Sequence, residues 1–164
     1  MKTFSALLVS LALSAPPALA RDVLRGPAEA VDGSHLRIME RTVRLAGIVA
    51  PGLRTPCLWK GKTPRDCGRM ARAAVSDLTA GAQVICRKDT SLGGWRCLSD
   101  GYDISEGLIH AGWARPVKGA PEEWHGEERR ARRKGLMLWR ATTLDGESFM
   151  GALRALKPSA AARP

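Results

Sequence analysis

Residues 31–52 read VDGSHLRIMERTVRLAGIVAPG, and this stretch decides the expected fold. Its Asp-Gly pair at 32–33 is typical of a tight hairpin turn. Residues 36–38 alternate apolar and polar side chains, as a half-buried strand does, and residues 42–48 predict another strand. With a strand expected over residues 23–31, the sequence predicts a meander of three close-set strands.

Beyond this stretch, the sequence predicts a loop over residues 51–61 and then a helix. Thr63 is expected to cap the helix, with Pro64 in its first turn. One face of this helix is predicted from apolar spacing, with members Cys67, Met70, Ala74 and Leu78. Strands over 82–87 and 95–98 should follow, joined by a glycine-rich turn.

The remaining chain predicts helices over residues 103–110, 121–134 and 148–156. Trp124, Ala131 and Leu138 recur every seven residues, which indicates a packing stripe. The chain therefore reads as strands interrupted by one helix and followed by others.

Four cysteines allow three pairings. Spacing favours Cys57–Cys67 and Cys86–Cys97, and the strand hairpin expected over residues 82–98 would also bring the second pair together. The alternative, a four-thiolate zinc site, would normally show CxxC knuckles, which this sequence lacks. We therefore expect two disulfides and no metal held by cysteine.

The N-terminus has the pattern of a secretory signal peptide over residues 1–20: Lys2, an apolar run over 6–13, and small residues over 18–20. A membrane anchor is the alternative, although the run is short for a bilayer span. We expect a secreted or periplasmic protein with no later transmembrane segment. The domain prediction is a single folded domain over 21–140 and a C-terminal helix and tail over 141–164.

The composition suits one globular domain, and its charge makes an anionic partner plausible. The chain has 164 residues, 45% of them hydrophobic, which argues against disorder or collagen-like repeats. Its formal net charge is +10, so nucleic acid, phospholipid head groups and other polyanions are candidate partners.

Five strands interrupted by a helix, with a helix after them, is the plan of an oligonucleotide-binding (OB) barrel. Short strings in the same order resemble landmarks of the thermonuclease (staphylococcal nuclease-like) family. They are VDGSHL at 31–36, VRLAGIVAPG at 43–52, CG at 67–68 with Ala71 and Ala74, DG at 100–101, GWA at 112–114, and GL at 135–136 with LW at 138–139. The resemblance implies a five-stranded OB-fold, a β-barrel with helices in the α+β class.

The family's chemistry is calcium-assisted phosphodiester hydrolysis, which needs converging carboxylates, a glutamate near the attacking water and two arginines. Aligned with the family pattern, Ser34 and Val49 replace the two metal-binding aspartates, and Gly52 replaces the glutamate. Gly94 replaces one arginine, and only Arg44 is retained. The alignment places these five positions around one shallow pocket, without ligands for the calcium that the family uses.

Two alternatives stay open for the residues near this pocket. Asp32, His35 and Glu40 could form a relocated catalytic site, since histidine is a versatile base. The competing interpretation makes Asp32 a turn residue and leaves His35 and Glu40 in solvent. Arg44 could likewise contact phosphate or serve a structural role through neighbouring carbonyls.

A basic run supplies the candidate anion-binding residues, which are Arg129, Arg130, Arg132, Arg133 and Lys134. The alternative is a solvated helix face, on which Glu128 and Arg132 could pair at i, i+4. Trp59, Trp95 and Trp124 could stack on bases or could pack in the core.

The sequence thus predicts a thermonuclease-like pseudoenzyme: an exported, disulfide-bonded OB-fold protein that binds an anionic or protein partner. A weak or unconventional nuclease is the first alternative, and an envelope structural protein is the second. The oligomeric state is left open.

Overall fold

A computed structural model describes residues 23–155. The predicted signal peptide over 1–20 and the last nine residues of the predicted tail lie outside the described part. Within it the strands are β1 (Val23–Gly26), β2 (Ala28–Ala30), β3 (His35–Ile38), β4 (Arg41–Arg44), β5 (Ile48–Val49), β6 (Pro56–Trp59), β7 (Thr63–Asp66), β8 (Val84–Asp89), β9 (Gly94–Ser99), β10 (Tyr102–Asp103), β11 (Arg115–Pro116) and β12 (Ala141–Thr142). The helices are α1 (Cys67–Thr79), α2 (Ile104–Ala111), α3 (Glu122–Lys134) and α4 (Phe149–Ala155), with a 3-10 helix at Met137–Arg140.

The strands form four small antiparallel sheets. Their orders are β1-β8-β9-β10, β2-β3-β4, β11-β5 and β12-β6-β7. A parallel bridge between Leu45 and Trp95 joins the region of β4 to β9. The described residues therefore form a mixed α+β structure, and their ladders do not close into one barrel.

The predicted meander is present, but two of its strands are interrupted. The strand expected over 23–31 divides at Pro27, which follows Gly26 at a φ of 148°. The strand expected over 42–48 ends at Arg44 and resumes at Ile48. Proline cannot donate to a ladder, and Gly47 adopts a positive φ of 74°, so neither strand continues through these points.

The loop predicted over 51–61 and the helix start predicted at Thr63 are wrong. Pro56–Trp59 is strand β6, and it pairs with Thr63–Asp66, which is strand β7. Helix α1 begins at Cys67, and its cap is Asp66, whose carboxylate accepts from the Arg69 backbone N–H at 2.9 Å. Pro64 lies in β7, at the edge of its sheet, where prolines are tolerated.

The other helices follow the sequence pattern closely. Asp103 caps α2 by accepting backbone N–H groups from Ser105 and Glu106. The stripe predicted in and after α3 is buried, with members Trp124, Ala131 and Leu138.

In α1 the buried face is shifted by one residue from the predicted one. Ala71, Val75 and Thr79 are buried, whereas the predicted members Met70, Ala74 and Leu78 are half-buried.

The core divides into two clusters. The larger cluster lies among β1–β5, β8, β9, α1, α2 and the start of α3, and it includes Leu36, Ile38, Leu45, Ile48, Val84, Ile104 and Leu108. The smaller cluster lies among β6, the start of α1, the 3-10 helix, β12 and α4. Its buried members are Cys57, Cys67, Leu138, Ala141, Phe149, Met150 and Leu153.

Each cluster contains one disulfide. Cys57–Cys67 joins β6 to the first residue of α1 in the smaller cluster, and Cys86–Cys97 joins directly paired residues of β8 and β9 in the larger cluster. These are the two predicted pairs. Within residues 23–155, no helix is long and apolar enough to cross a membrane.

Candidate functional site

The turn between β2 and β3 is held by the carboxylate of Asp32. Asp32 Oδ1 accepts from the Ser34 backbone N–H at 2.7 Å and from the Ser34 hydroxyl at 3.2 Å. His35 Nδ1 lies 2.9 Å from Asp32 Oδ1 and 3.0 Å from Oδ2. Burial alone would raise the pKa of Asp32, but the hydrogen bonds from His35 and Ser34 lower the pKa below its usual value.

This arrangement is not a nucleophile triad. Ser34 Oγ lies 3.2 Å from His35 Nδ1, the same ring nitrogen that contacts Asp32. A base that activates serine must contact the hydroxyl through one ring nitrogen while the carboxylate holds the other. The other nitrogen of His35, Nε2, is buried and has no hydrogen-bond partner in the described part of the chain. Glu40, the third member of the predicted alternative, is exposed in the turn after β3 and is not among the partners of Asp32 or His35.

The Asp32 turn packs against the segment that follows β5. A Cβ added at Gly33 would lie 2.9 Å from the Pro51 carbonyl oxygen and 3.2 Å from the Ala50 Cβ. The same atom would lie 2.9 Å from the Ala71 Cβ of α1. The structure therefore brings the turn that contains Ser34 next to the segment that contains Val49 and Gly52.

At two of the positions aligned with lost carboxylates, the local surroundings differ sharply. Val49 pairs with Arg115 in the β5–β11 ladder, and its side chain packs against the smaller cluster. Gly52 is exposed, and an added Cβ would have only the Thr55 hydroxyl within 4 Å, at 3.9 Å. A side chain would fit at Gly52, whereas the side chain at Val49 already serves packing.

Arg44 pairs with His35 in the β3–β4 ladder, next to the Asp32 turn, and Gly94 lies against the Arg44 backbone. The Arg44 guanidinium donates to the Gly93 carbonyl oxygen in the turn before β9. Arg44 is half-buried, and this burial lowers the pKa of its guanidinium. A Cβ added at Gly94 would lie 2.8 Å from the Arg44 carbonyl oxygen and 3.0 Å from the Ala46 Cα. Gly94 thus has no room for a side chain, because β9 approaches the backbone of β4 closely there.

The described residues contain no group of three or more His, Cys, Asp or Glu side chains that could hold a metal ion. The geometry at the aligned positions is consistent with this finding. The carboxylate of Asp32 is occupied by Ser34 and His35, while Val49 and Gly52 supply no oxygen ligand from a side chain.

The basic run on α3 divides into residues that form ion pairs and residues that form none with the described part of the chain. Arg129 pairs with Glu122 at 2.9 Å, and Arg130 pairs with Glu127 at 2.6 Å. Arg132, Arg133 and Lys134 are exposed in the last turn, where positive charge also suits the helix dipole.

The pair expected between Glu128 and Arg132 is not formed. Glu128 is buried and contacts Arg115 instead, with Nε to Oε1 at 2.5 Å. Arg132 lies over the ring of Trp139, with 5.9 Å from its guanidinium carbon to the ring centre. Tertiary packing of α3 on β11 overrides the local i, i+4 spacing because it buries the carboxylate beside a buried guanidinium.

The three tryptophans considered for stacking all take part in packing. Trp124 is buried in the larger cluster, Trp95 packs against that cluster, and Trp59 packs against the smaller one. Arg41 also lies over Trp95, at 5.3 Å from the ring centre.

The arrangement that sequence reasoning missed is the pair Arg115–Glu128 beside Trp139. Arg115 lies in an apolar segment, GWARPV at 112–117, and a charged residue in such a setting could have signalled a buried ion pair. Its partner could not have been identified from the sequence, because 13 residues separate the two positions.

No family model matches the chain, and no curated protein matches it.

Proposed function

We propose that this protein is an exported OB-fold domain of the thermonuclease-like family that has lost the family's catalytic site and binds an anionic partner. The order of strands and helices and the six short motifs support the family assignment. The +10 charge supports the anionic partner. The two disulfides support folding in an oxidising compartment, either secreted or periplasmic.

The observation that carries the non-catalytic part of the proposal is that Ser34, Val49 and Gly52 supply no carboxylate at the three positions aligned with the family's metal ligands and glutamate. Calcium needs several converging oxygen ligands, which these three side chains do not provide. Arg44 is the one retained residue of the five aligned positions. It donates to the Gly93 carbonyl oxygen, so its retention also has a structural reason.

A nuclease assay on the mature chain tests this proposal. We expect no cleavage of single-stranded DNA, double-stranded DNA or RNA with calcium, and no difference on adding EDTA. Salt-dependent retention on immobilised DNA, RNA and an acidic glycan should separate the anionic partners, because each released counterion steepens the salt dependence. Calcium-dependent cleavage that is lost on chelation would contradict the non-catalytic proposal, and lack of retention on every polyanion would contradict the anionic partner.

One observation favours a weak, unconventional nuclease as the second candidate. Asp32 contacts His35 Nδ1, and His35 Nε2 has no hydrogen-bond partner among the residues that the structure describes. An imidazole oriented by a carboxylate can act as a general base. Metal-independent cleavage that disappears in His35→Gln would support this candidate. Cleavage unaffected by that substitution would trace to a contaminant and would remove the support.

A further inference from the structure

A cleft of about 580 Å³ lies on the side of the molecule where α3, the 3-10 helix and the start of α4 meet. Its lining residues come from β11, α3, the 3-10 helix and the beginning of α4, and they are Arg115, Arg132, Trp139, Ser148 and Gly151. None of the positions aligned with the lost nuclease site is among them. The cleft therefore has a lining of its own, although Arg115 pairs with Val49 in the β5–β11 ladder.

The side chain of Arg115 is held in one position in this cleft by two hydrogen bonds. Only 7% of the residue is exposed, and its Nε donates to Glu128 Oε1 at 2.5 Å. Its Nη1 donates to the Met150 carbonyl oxygen, also at 2.5 Å. Nη2 forms no hydrogen bond with the residues whose side chains the structure describes. Two of the three guanidinium nitrogens thus hold the side chain in place, and the third keeps its hydrogens for another acceptor.

Arg132 supplies a second guanidinium at the same indole ring. The carbons at the centres of the Arg115 and Arg132 guanidiniums lie 5.2 Å and 5.9 Å from the centre of the Trp139 ring. Glu128 balances the charge of Arg115, whereas Arg132 forms no ion pair within the described residues. The cleft therefore carries an excess of one positive charge.

Trp139 lines the cleft between these arginines and the protein interior. Its Nε1 is enclosed and has no hydrogen-bond partner in the described part of the chain, so the indole serves here as a wall of the cleft and as a reporter of binding. Guanidinium nitrogens can only donate, so Arg115 and Arg132 both present donors to an acceptor in the cleft.

We propose that this cleft is a binding site for a phosphate group, held by Arg115 and Arg132 beside Trp139. A phosphate carries more acceptor oxygens and more negative charge than a carboxylate, and guanidinium groups recognise it through charge-assisted hydrogen bonds. The inference rests on the proposed function only in assigning an anionic ligand, and it specifies a site and a ligand chemistry. The phosphate could be free phosphate or the terminal monoester of a nucleic acid, because both present the same oxygens.

The test follows the indole N–H resonances of the full mature protein by ¹H–¹⁵N NMR during titration with sodium phosphate at constant ionic strength. The Trp139 resonance is assigned from the spectrum of Trp139→Phe, which keeps an aromatic ring and removes the donor. We expect a saturable shift of the Trp139 resonance, with the other four indoles unchanged.

Two arginine variants on the same helix separate a built site from general charge attraction. Arg132→Gln should weaken phosphate binding by about tenfold, the loss expected for one charged hydrogen bond. Arg133→Gln is the matched control, since it removes the same charge from the next exposed position and should change affinity by less than about twofold. Equal weakening in both variants, or a Trp139 resonance that does not move, would overturn the proposal. A buried water that already accepts from Trp139 Nε1, with no phosphate bound in the cleft, would leave the Trp139 resonance unmoved.

A 5′-phosphorylated dinucleotide and its 5′-hydroxyl counterpart distinguish the two sources. Tighter binding of the phosphorylated dinucleotide than of inorganic phosphate assigns the site to a nucleic acid end, and equal or weaker binding assigns it to free phosphate. If the protein is retained on polyanions but phosphate does not shift the Trp139 resonance, the cleft is not the binding site and the proposed function still holds. If phosphate shifts the Trp139 resonance saturably but no polyanion retains the protein, the cleft binds phosphate and the proposed anionic partner is contradicted.

Discussion

The two hydrophobic clusters are built on different principles. The larger cluster is enclosed by ladders and helices that contact one another repeatedly, and its disulfide joins residues that β8 and β9 already pair. The smaller cluster has seven buried members, and its disulfide joins a short strand to the beginning of a helix. The larger cluster is therefore held together by many overlapping contacts, so losing one contact leaves others in place. The smaller cluster depends on a few specific connections.

Polar links show the same contrast. In the larger region, Arg96 pairs with Asp103 at 2.8 Å, but the Arg96 side chain is 54% exposed. Beside the smaller cluster, Arg115 and Glu128 are both about nine-tenths buried, and Arg115 also reaches Met150 of α4. The comparison teaches that single contacts matter most where few elements share a core.

The largest effect should come from Arg115→Leu. This substitution leaves the buried Glu128 carboxylate without its partner, and removing one member of a buried pair costs about 3–5 kcal/mol. Urea denaturation measures the change in the free energy of unfolding. Arg96→Leu is the control, with an expected cost of no more than about 1 kcal/mol, because Arg96 is exposed and Asp103 keeps its bonds to α2. Equal losses would remove the contrast between the two regions.

The disulfides provide the next comparison. They close loops of nearly equal length, with sequence separations of 10 and 11, so the chain-entropy model gives each about 2–3 kcal/mol. We expect the two losses of stability to affect different parts of the molecule, as measured by amide hydrogen exchange. Replacing Cys57 and Cys67 by alanine should raise amide hydrogen exchange selectively in β12 and α4, since these elements pack against that bridge. Replacing Cys86 and Cys97 should lower protection throughout the larger cluster. Identical exchange patterns would show that the two clusters unfold as one unit.

Local patterns predicted much of the larger region and, in the smaller one, the Cys57–Cys67 disulfide and helix α4, but not strands β6 and β7. The Asp32-Gly33 turn, the caps of α2 and the hairpin of β8 and β9 are encoded within a few residues, so the sequence indicates them directly. The TPRD segment at 63–66 has the chemistry of a helix start, yet it pairs with β6. Its conformation depends on pairing with β6, a strand that in turn pairs with Ala141 far along the chain.

The same limit applies to the candidate site. The resemblance identified Ser34, Val49, Gly52 and Gly94 as positions without catalytic side chains. It gave no indication that Val49 packs against the smaller cluster or that β9 leaves no space at Gly94. Both properties come from the approach of elements that are distant in sequence.

The smallest effect should come from Asp32→Asn in the larger region. Asparagine can still accept from the Ser34 backbone, so the loss is the charged contact with His35, about 1 kcal/mol at pH 7. The folded pKa of Asp32 is lowered, so the ionised carboxylate stabilises the fold above its unfolded pKa of about 3.9. That stability is lost as the pH falls through the lower folded pKa. Urea denaturation at pH 7 and near pH 3 should therefore show the difference from the unsubstituted protein shrinking on acidification.

Asp66→Asn in the smaller region is the matched control. Asp66 caps α1 through the Arg69 backbone, and asparagine caps helices about as well as aspartate. Its side chain is also 36% exposed, so its ion pair with Arg69 adds little. A loss at Asp66 as large as that at Asp32, or one at Asp32 that does not vary with pH, would contradict the role assigned to the His35 contact.

Strand β7 forms an open sheet edge that resists strand pairing with another molecule of the protein. Pro64 lies opposite Leu58, and because proline has no N–H, this pair cannot be one that exchanges hydrogen bonds. In such a pair the backbone groups point away from the partner strand, so the open edge lacks a donor at Pro64. Arg65 adds an exposed charge beside it. An invading strand would gain little there, which protects this sheet against edge-to-edge aggregation at high concentration.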